Sequence, residues 1–232
     1  MHISLDSALG RQRRLNSVGE SVLQIAPNAA AAYSLRSLTG GDPKVVRVRR
    51  DTDGGAGDND EQDFTASGIS SGALVAFVGS GNDGFVETWY DQSGNSKDAV
   101  QATAGSQPKI VNAGSLVVDS AGLPEIDFDG SNDCLTASSY SRSGEDLPLT
   151  MISVFDQDVA GVDYVVSLNK SDNNAFDRIL LRTDSFDYGR RATDNTAKAG
   201  SGSDPDVDTK YLFTAINAGT TSSGFVDGSS IF

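Results

Sequence analysis

The stretch Phe85-Val86-Glu87-Thr88-Trp89-Tyr90-Asp91-Gln92-Ser93-Gly94-Asn95 decides the fold. Its first six residues mix aromatic and β-branched side chains, the composition that fits a pleated, half-buried surface. The next five are turn formers: Asp and Asn bond to nearby backbone, and Gly accepts conformations other residues resist. A short strand that runs directly into such a turn is the grammar of antiparallel β structure. Successive strand side chains point to opposite faces, so one of Trp89 and Tyr90 is expected to face the core and the other outward.

The same grammar repeats on both sides. Upstream, Val45 to Arg50 alternates, with Val46 and Val48 facing one way and Arg47 and Arg49 the other, which predicts a half-buried strand with a basic outer face. Downstream, strands are expected at Pro108–Val111, Leu116–Val118, Glu125–Phe128, Cys134–Ala137, Leu149–Phe155, Tyr164–Asn169, Arg178–Thr183, Phe186–Arg191, Lys210–Asn217 and Ser223–Val226. Helix signals are few. Ala29 to Leu38 is alanine-rich and follows Asn28, a plausible N-cap, and Ala73 to Val78 follows Ser70 and Ser71. Asp51 to Asp63 reads as a Gly/Asp loop. No fixed-period repeat points to a propeller or solenoid. The expected class is therefore an all-β, two-sheet sandwich with one or two short helices.

Composition agrees. Of 32 acidic residues only Glu20, Glu61, Glu87, Glu125 and Glu145 are glutamates, and aspartate prefers turns and caps over helix interiors. Charge is uneven. The first fifty residues carry eight Lys/Arg against three Asp/Glu, a balance of +5, while the rest carries −19 within a total of −14. Such an acidic body repels nucleic-acid phosphates, so no nucleic-acid partner is expected. No apolar run reaches membrane-spanning length, and no membrane insertion is expected either.

Several chemistries lose their parts list. His2 is the only histidine, which removes Ser-His and Cys-His triads and His-rich metal sites. Cys134 is the only cysteine; it allows no internal disulfide and reads as a small buried hydrophobe. The acidic loop places Asp51 and Asp53 at the first and third positions of an EF-hand-like series, but Gly55 and Gln62 occupy the fifth and twelfth, so no metal or other cofactor is expected. Gly79-Ser80-Gly81 and Gly200-Ser201-Gly202 lack the Lys-Ser/Thr of a phosphate loop. Carboxylates that lie on strands and could serve a glycosidase pair are Glu87, Glu125, Asp127 and Asp177, though abundant aspartate makes some close pair inevitable.

The ordered strings AYSLR (32–36), VRVRR (46–50), ALVAFVG (73–79), GFVETWYDQSGN (84–95), QPKIVNAG (107–114) and IDFDGSND (126–133) resemble the concanavalin A-like domains of phage and bacterial structural proteins. The same opening resembles the catalytic domain of the fungal-type arabinofuranosidase B family. The resemblance implies a concanavalin A-like jelly-roll sandwich over residues 29–232. That enzyme family carries a catalytic glutamate in a GHMEAIYFG strand; the comparable stretch here, Asn174 to Leu181, has none. The resemblance thus implies the fold without the activity.

Residues 1–28 read as an extended N-terminal arm, with a basic cluster of Arg11, Arg13 and Arg14 and a short apolar run from Val22 through Leu23 to Ile25. The stretch DSALGRQRRLNSVGESVLQIAP resembles the leaders of cyanophage-type virion proteins. That resemblance implies a non-enzymatic virion component, a tail-fibre, tail-accessory or capsid-decoration protein assembled in the host cytoplasm. Arg11, Arg13, Arg14, Val22, Leu23 and Ile25 would dock on other virion proteins. Related domains continue into closing strands beyond the equivalent of Phe225-Val226-Asp227-Gly228, so an open sheet edge and a homo-oligomer are expected. The alternatives are a module that binds host surface glycans, or a glycosidase.

Overall fold

The computed structural model describes residues 22–25, 27–52, 60–138, 149–157, 164–168, 179–182, 188–191, 197–200, 206–217 and 222–230. The docking residues Arg11, Arg13 and Arg14 lie outside these, as do Asp53, Gly55 and Asp177. Val22 and Ile25 lie in a single helical turn, α1 (Val22–Ile25), and the amide of Leu23 in that turn donates to the Leu38 carbonyl at 3.1 Å. The chain divides into two compact units, Met1–Ser139 and Tyr140–Phe232.

The first unit is built on β1 (Lys44–Asp51), β2 (Glu61–Thr65), α2 (Ala66–Ser70), α3 (Ala73–Val78), β3 (Asp83–Trp89), β4 (Ala99–Val100), β5 (Lys109–Asn112), β6 (Ser115–Leu116) and β7 (Thr136–Ala137). Every pairing is antiparallel, in the order β2-β1-β3-β4-β7, with β5 paired to β3 and β6. One face of this sheet carries the core: Val46, Val48, Phe64, Val86, Ile110 and Val111 pack with Ile69 of α2 and Leu74 and Val78 of α3. Fully burying each aliphatic side chain contributes about 1.5 to 3 kcal/mol. Gly84 is the closest point of that packing, because a Cβ there would meet Val78 Cγ2 at 2.8 Å and Val111 Cβ at 3.1 Å.

Three local expectations are corrected here. Ala29–Leu38 is an irregular stretch with bends and not a helix, because its backbone groups are taken by side chains of the loop after β3, which overrides alanine's helix preference. Part of the expected acidic loop is strand: Glu61–Thr65 pairs with β1, since Glu61 and Asp63 find Arg47 across the ladder. Ser70 and Ser71 do not cap α3. Their hydroxyls turn back to the carbonyls of Ser67 and Gly68, and Gly72 takes the N-cap position at φ 82°. The side-chain cap belongs instead to α2, where Thr65 Oγ1 accepts from the Gly68 amide at 3.1 Å.

The second unit contains β8 (Leu149–Phe155), β9 (Tyr164–Leu168), β10 (Ile179–Arg182), β11 (Tyr188–Arg191), β12 (Ala197–Gly200), β13 (Tyr211–Asn217), β14 (Ser222–Val226) and β15 (Ser229–Ser230). A four-stranded antiparallel sheet runs β15-β14-β13-β8, and β9/β10 and β11/β12 form two further pairs. Phe213 and Ala215 are buried on one face of the larger sheet, while Ile152, Val154, Leu212 and Ile216, which alternate with them across the ladder, are exposed.

Candidate functional site

The two halves of the most specific motif are one structural device. Asp91 Oδ1 accepts the Ala32 amide at 2.9 Å, and Gln92 Oε1 accepts the Leu38 amide at 2.7 Å. Gln92 Nε2 donates to the carbonyls of Ser34 and Arg36 at 3.0 and 2.9 Å. Asn95 Nδ2 reaches those of Ala29 and Ala30 at 2.9 and 3.2 Å. The loop Asp91–Asn95 thereby straps residues 29–38 beside the sheet, and Tyr33 packs on Trp89 with ring centroids 5.7 Å apart. Burial acts to raise the Asp91 carboxyl, but bonds from the amides of Ser93, Ala32 and Lys97 and the Ser93 hydroxyl hold it below the usual carboxylate range. These motif residues spend their hydrogen-bonding capacity on the fold.

Chemistry gathers on the other face of the sheet. A one-residue register shift lies opposite Glu87: Val48 pairs with Val86, but Arg47 pairs with Thr88. Such a bulge changes the parity of the strand. Glu87 and Thr88 therefore both face away from the core, their side chains hydrogen-bonded to each other, while Trp89 pairs with Val46 and packs against the core. A cross-strand row follows from the registers: Asp63 on β2, Arg47 on β1, Thr88 on β3, Val100 on β4 and Thr136 on β7.

Arg47 is the hub of this row. Its Nε donates to Glu61 Oε2 at 2.8 Å and lies 3.9 Å from Glu87 Oε2, and its Nη1 is 3.5 Å from Asp63 Oδ1. Lys44 Nζ is 2.5 Å from Asp63 Oδ2, and the Tyr90 hydroxyl donates to Asp63 Oδ1 at 2.7 Å. Burial tends to raise Asp63, but bonds from Lys44 and Tyr90 and the charges of Lys44 and Arg47 hold it below the ordinary range. Burial, and then the bond and charge of Asp63, push the Tyr90 phenol up to about 12. The group is part-exposed, with Arg47 39% and Glu87 21% accessible at the side chain, so a ligand can reach it.

The next row is closed. Arg49 is 5% exposed; its Nε donates to the buried Gln107 Oε1 at 2.8 Å, Nη1 lies 3.6 Å from Asp51, and the guanidinium stacks 4.9 Å from the Phe85 centroid. Both arginines of β1 point away from Val46 and Val48, as the alternation predicts, and carboxylates and Gln107 engage them. Of the strand carboxylates, Glu87 belongs to the Arg47 group. Asp127 is bridged to Lys109 through two backbone bonds of 2.8 Å, and the Glu125 amide donates to Val117 at 3.2 Å; these belong to loop closure. Cys134 is exposed, its sulfur 3.1 Å from Gln101 Nε2, which corrects the buried-hydrophobe expectation, because the β7 residues that follow place it at the sheet's rim. Among the described residues no group of three His, Cys, Asp or Glu could hold a metal ion, and no described helix is long and apolar enough to cross a membrane. The glutamate and aspartate of β2 were missed in the sequence; their signal was the alternation Glu61-x-Asp63 matching Arg47-x-Arg49.

No family model matches the chain, and no curated protein matches it in sequence. Solved structures do. An arabinofuranosidase complexed with arabinofuranosyl-α-1,2-xylobiose superposes with a TM-score of 0.58 at 14% identity, covering 92% of this chain and 52% of that one. A mutant of a GH54 α-L-arabinofuranosidase soaked with 4-nitrophenyl α-L-arabinofuranoside gives 0.51 at 14% identity, over 90% and 50%. The likeness is one of fold. The chain spans about half the length of these structures. The all-β, concanavalin A-like sandwich class read from the sequence is the fold the chain has.

The same finding corrects the functional expectation. The expectation of a non-enzymatic virion structural protein is overturned by these matches, since both structures are arabinofuranosidases, which are glycosidases. That expectation leaned on the arm's resemblance and on one stretch without a glutamate. A β-sandwich hosts many functions, so neither feature speaks to carboxylates elsewhere on its sheet.

Proposed function

We propose that this chain is a glycosidase domain that acts on arabinofuranosyl groups, with Glu61 and Glu87 as its carboxyl pair. The observation that carries the reading is the convergence of these two side chains on one guanidinium, on an accessible sheet face of a chain with an arabinofuranosidase fold. Both Oε2 atoms lie against Arg47 Nε, so they are at most about 7 Å apart, an upper bound that leaves room for the roughly 5 to 5.5 Å of a retaining carboxyl pair. Such a reaction needs one carboxyl group to protonate the leaving oxygen and the other, ionised, to attack the sugar or activate water. Arg47, always charged, would hold the ionised member in position to attack the sugar or to activate water. Thr88 fixes the Glu87 carboxyl, and Asp63, kept ionised by its neighbours, is unsuited to donate a proton at neutral pH.

The test uses the purified chain with 4-nitrophenyl α-L-arabinofuranoside. Nitrophenol release is expected, with Glu61→Gln and Glu87→Gln each reducing it about 100-fold or more. Absence of release above a protein-free control sinks the glycosidase reading. Retention of the sugar without release would instead select glycan binding, which the missing glutamate in Asn174 to Leu181 favours.

A further inference from the structure

The donors around Asp63 form a carboxylate-binding site that the protein fills itself. Lys44 Nζ at 2.5 Å, the Tyr90 hydroxyl at 2.7 Å and Arg47 Nη1 at 3.5 Å converge on the two oxygens of this one side chain. A lysine, an arginine and a phenol gathered in this way are what a sugar carboxylate would require. The position is accessible, since the Lys44 side chain is 61% exposed and Asp63 22%. Around it stand Glu61 and Glu87, of which the ionised member adds a further negative charge, and each cation already has a carboxylate partner.

We propose that Asp63 is a specificity-determining residue: it occupies the place a uronic-acid carboxylate would take, and so limits the site to uncharged sugars. An acidic glycan arriving here meets no unengaged cation and two ionised carboxylates, Asp63 and the ionised member of the Glu61–Glu87 pair, and like charges brought together across an interface disfavour the wrong ligand. The inference rests on the reading of this face as a sugar site, but it concerns which sugar is held and needs no turnover.

The experiment measures dissociation constants by calorimetry for two matched ligands: an arabinoxylan oligosaccharide bearing one glucuronic acid, and the same oligosaccharide after carboxyl reduction. The full chain should prefer the reduced form by about tenfold or more. Asp63→Ala, which leaves Lys44, Arg47 and Tyr90 in place around an empty position, should erase or reverse that preference. Asp63→Asn keeps the shape and loses the charge, so it should narrow the preference even where the alanine variant folds poorly. Equal binding of both ligands by the parent chain, stronger binding of the acidic one, binding of neither, or a preference unchanged in both variants overturns the proposal. A chain that keeps the preference but releases no nitrophenol refutes the glycosidase reading alone.

Discussion

Replacing Gln92 by alanine should cut the strap from the first unit, and its cost follows from the bonds lost. Gln92 is 7% exposed, and its side chain makes three hydrogen bonds, one accepted from Leu38 and two donated to Ser34 and Arg36. Each is worth about 1 kcal/mol net, and a buried group left without a partner costs about 1 to 3 kcal/mol. Arg36 is exposed and Ser34 and Leu38 are half-buried, so water recovers part of that loss. The expected destabilisation is therefore about 2 to 3 kcal/mol. It is bounded above by the docking energy of the strap, since a strap that detaches locally leaves the core of Val46, Val48, Val86 and Ile110 in place. Gln92→Glu discriminates further: it keeps the acceptor toward Leu38 but turns two donors into a carboxylate oxygen facing two carbonyls. It should be at least as damaging at neutral pH and partly relieved in acid. Urea unfolding should show a lower midpoint for Gln92→Ala, and hydrogen exchange should show faster exchange of the Leu38 amide. A midpoint unchanged within error together with a protected Leu38 amide would refute the claim that this loop holds the strap.

Three further outcomes are expected. Gly84→Ala should cost about 1 to 3 kcal/mol in urea unfolding, because its Cβ would sit 2.8 Å from Val78 and 3.1 Å from Val111 in a packed core. Gly114→Ala should cost more than the roughly 1 kcal/mol of a left-handed alanine, since at φ +79° its Cβ would also fall 2.7 Å from the Gly81 nitrogen; a melting temperature equal to the parent's would contradict this. Asp91 is held below the usual carboxylate range in the folded chain, so its contribution is present above its unfolded value of about 3.9 and is lost as pH falls through the depressed folded value. The stability gap between the parent and Asp91→Asn should accordingly stay level near neutrality and close in acid, and a gap that widens in acid would reverse the sign of this argument.

What the sequence could show and what it could not divide along one physical line. Periodicity is local, so the β class, the outward direction of Arg47 and Arg49 and the span Leu149–Phe155 were all legible from residues within a few positions of each other. Register is not local. Glu61 meets Arg47 fourteen residues away only because β2 pairs back on β1, and Thr88 comes to stand opposite Arg47, beside Glu87, only because an extra residue in β3 shifts the pairing between Arg47 and Val48. A strict alternation would put Thr88 with Val86 on the core side and Trp89 with Glu87 outside. The bulge reverses this after Glu87, which sends the tryptophan inward and sets two polar side chains side by side on the open face. The motif that best announced the fold misled about chemistry for a related reason. Asp91, Gln92 and Asn95 look like a polar functional loop, yet their partners are backbone groups about 50 to 70 residues upstream, where alanines gave no sign that their carbonyls would be claimed. The candidate site is therefore a product of pairing, and its residues carry no motif of their own. If Glu61, Arg47 and Glu87 act together, shifting the register should disable them without touching any of the three. Deleting one residue between Val86 and Thr88 removes both the bulge and a carboxylate, so the cleaner perturbation is Thr88→Val, which keeps β propensity and volume but removes the hydroxyl that fixes Glu87. Loss of sugar release in that variant with an unchanged urea midpoint would place Thr88 in orienting Glu87, and full retention would show that the carboxyl group needs no such support.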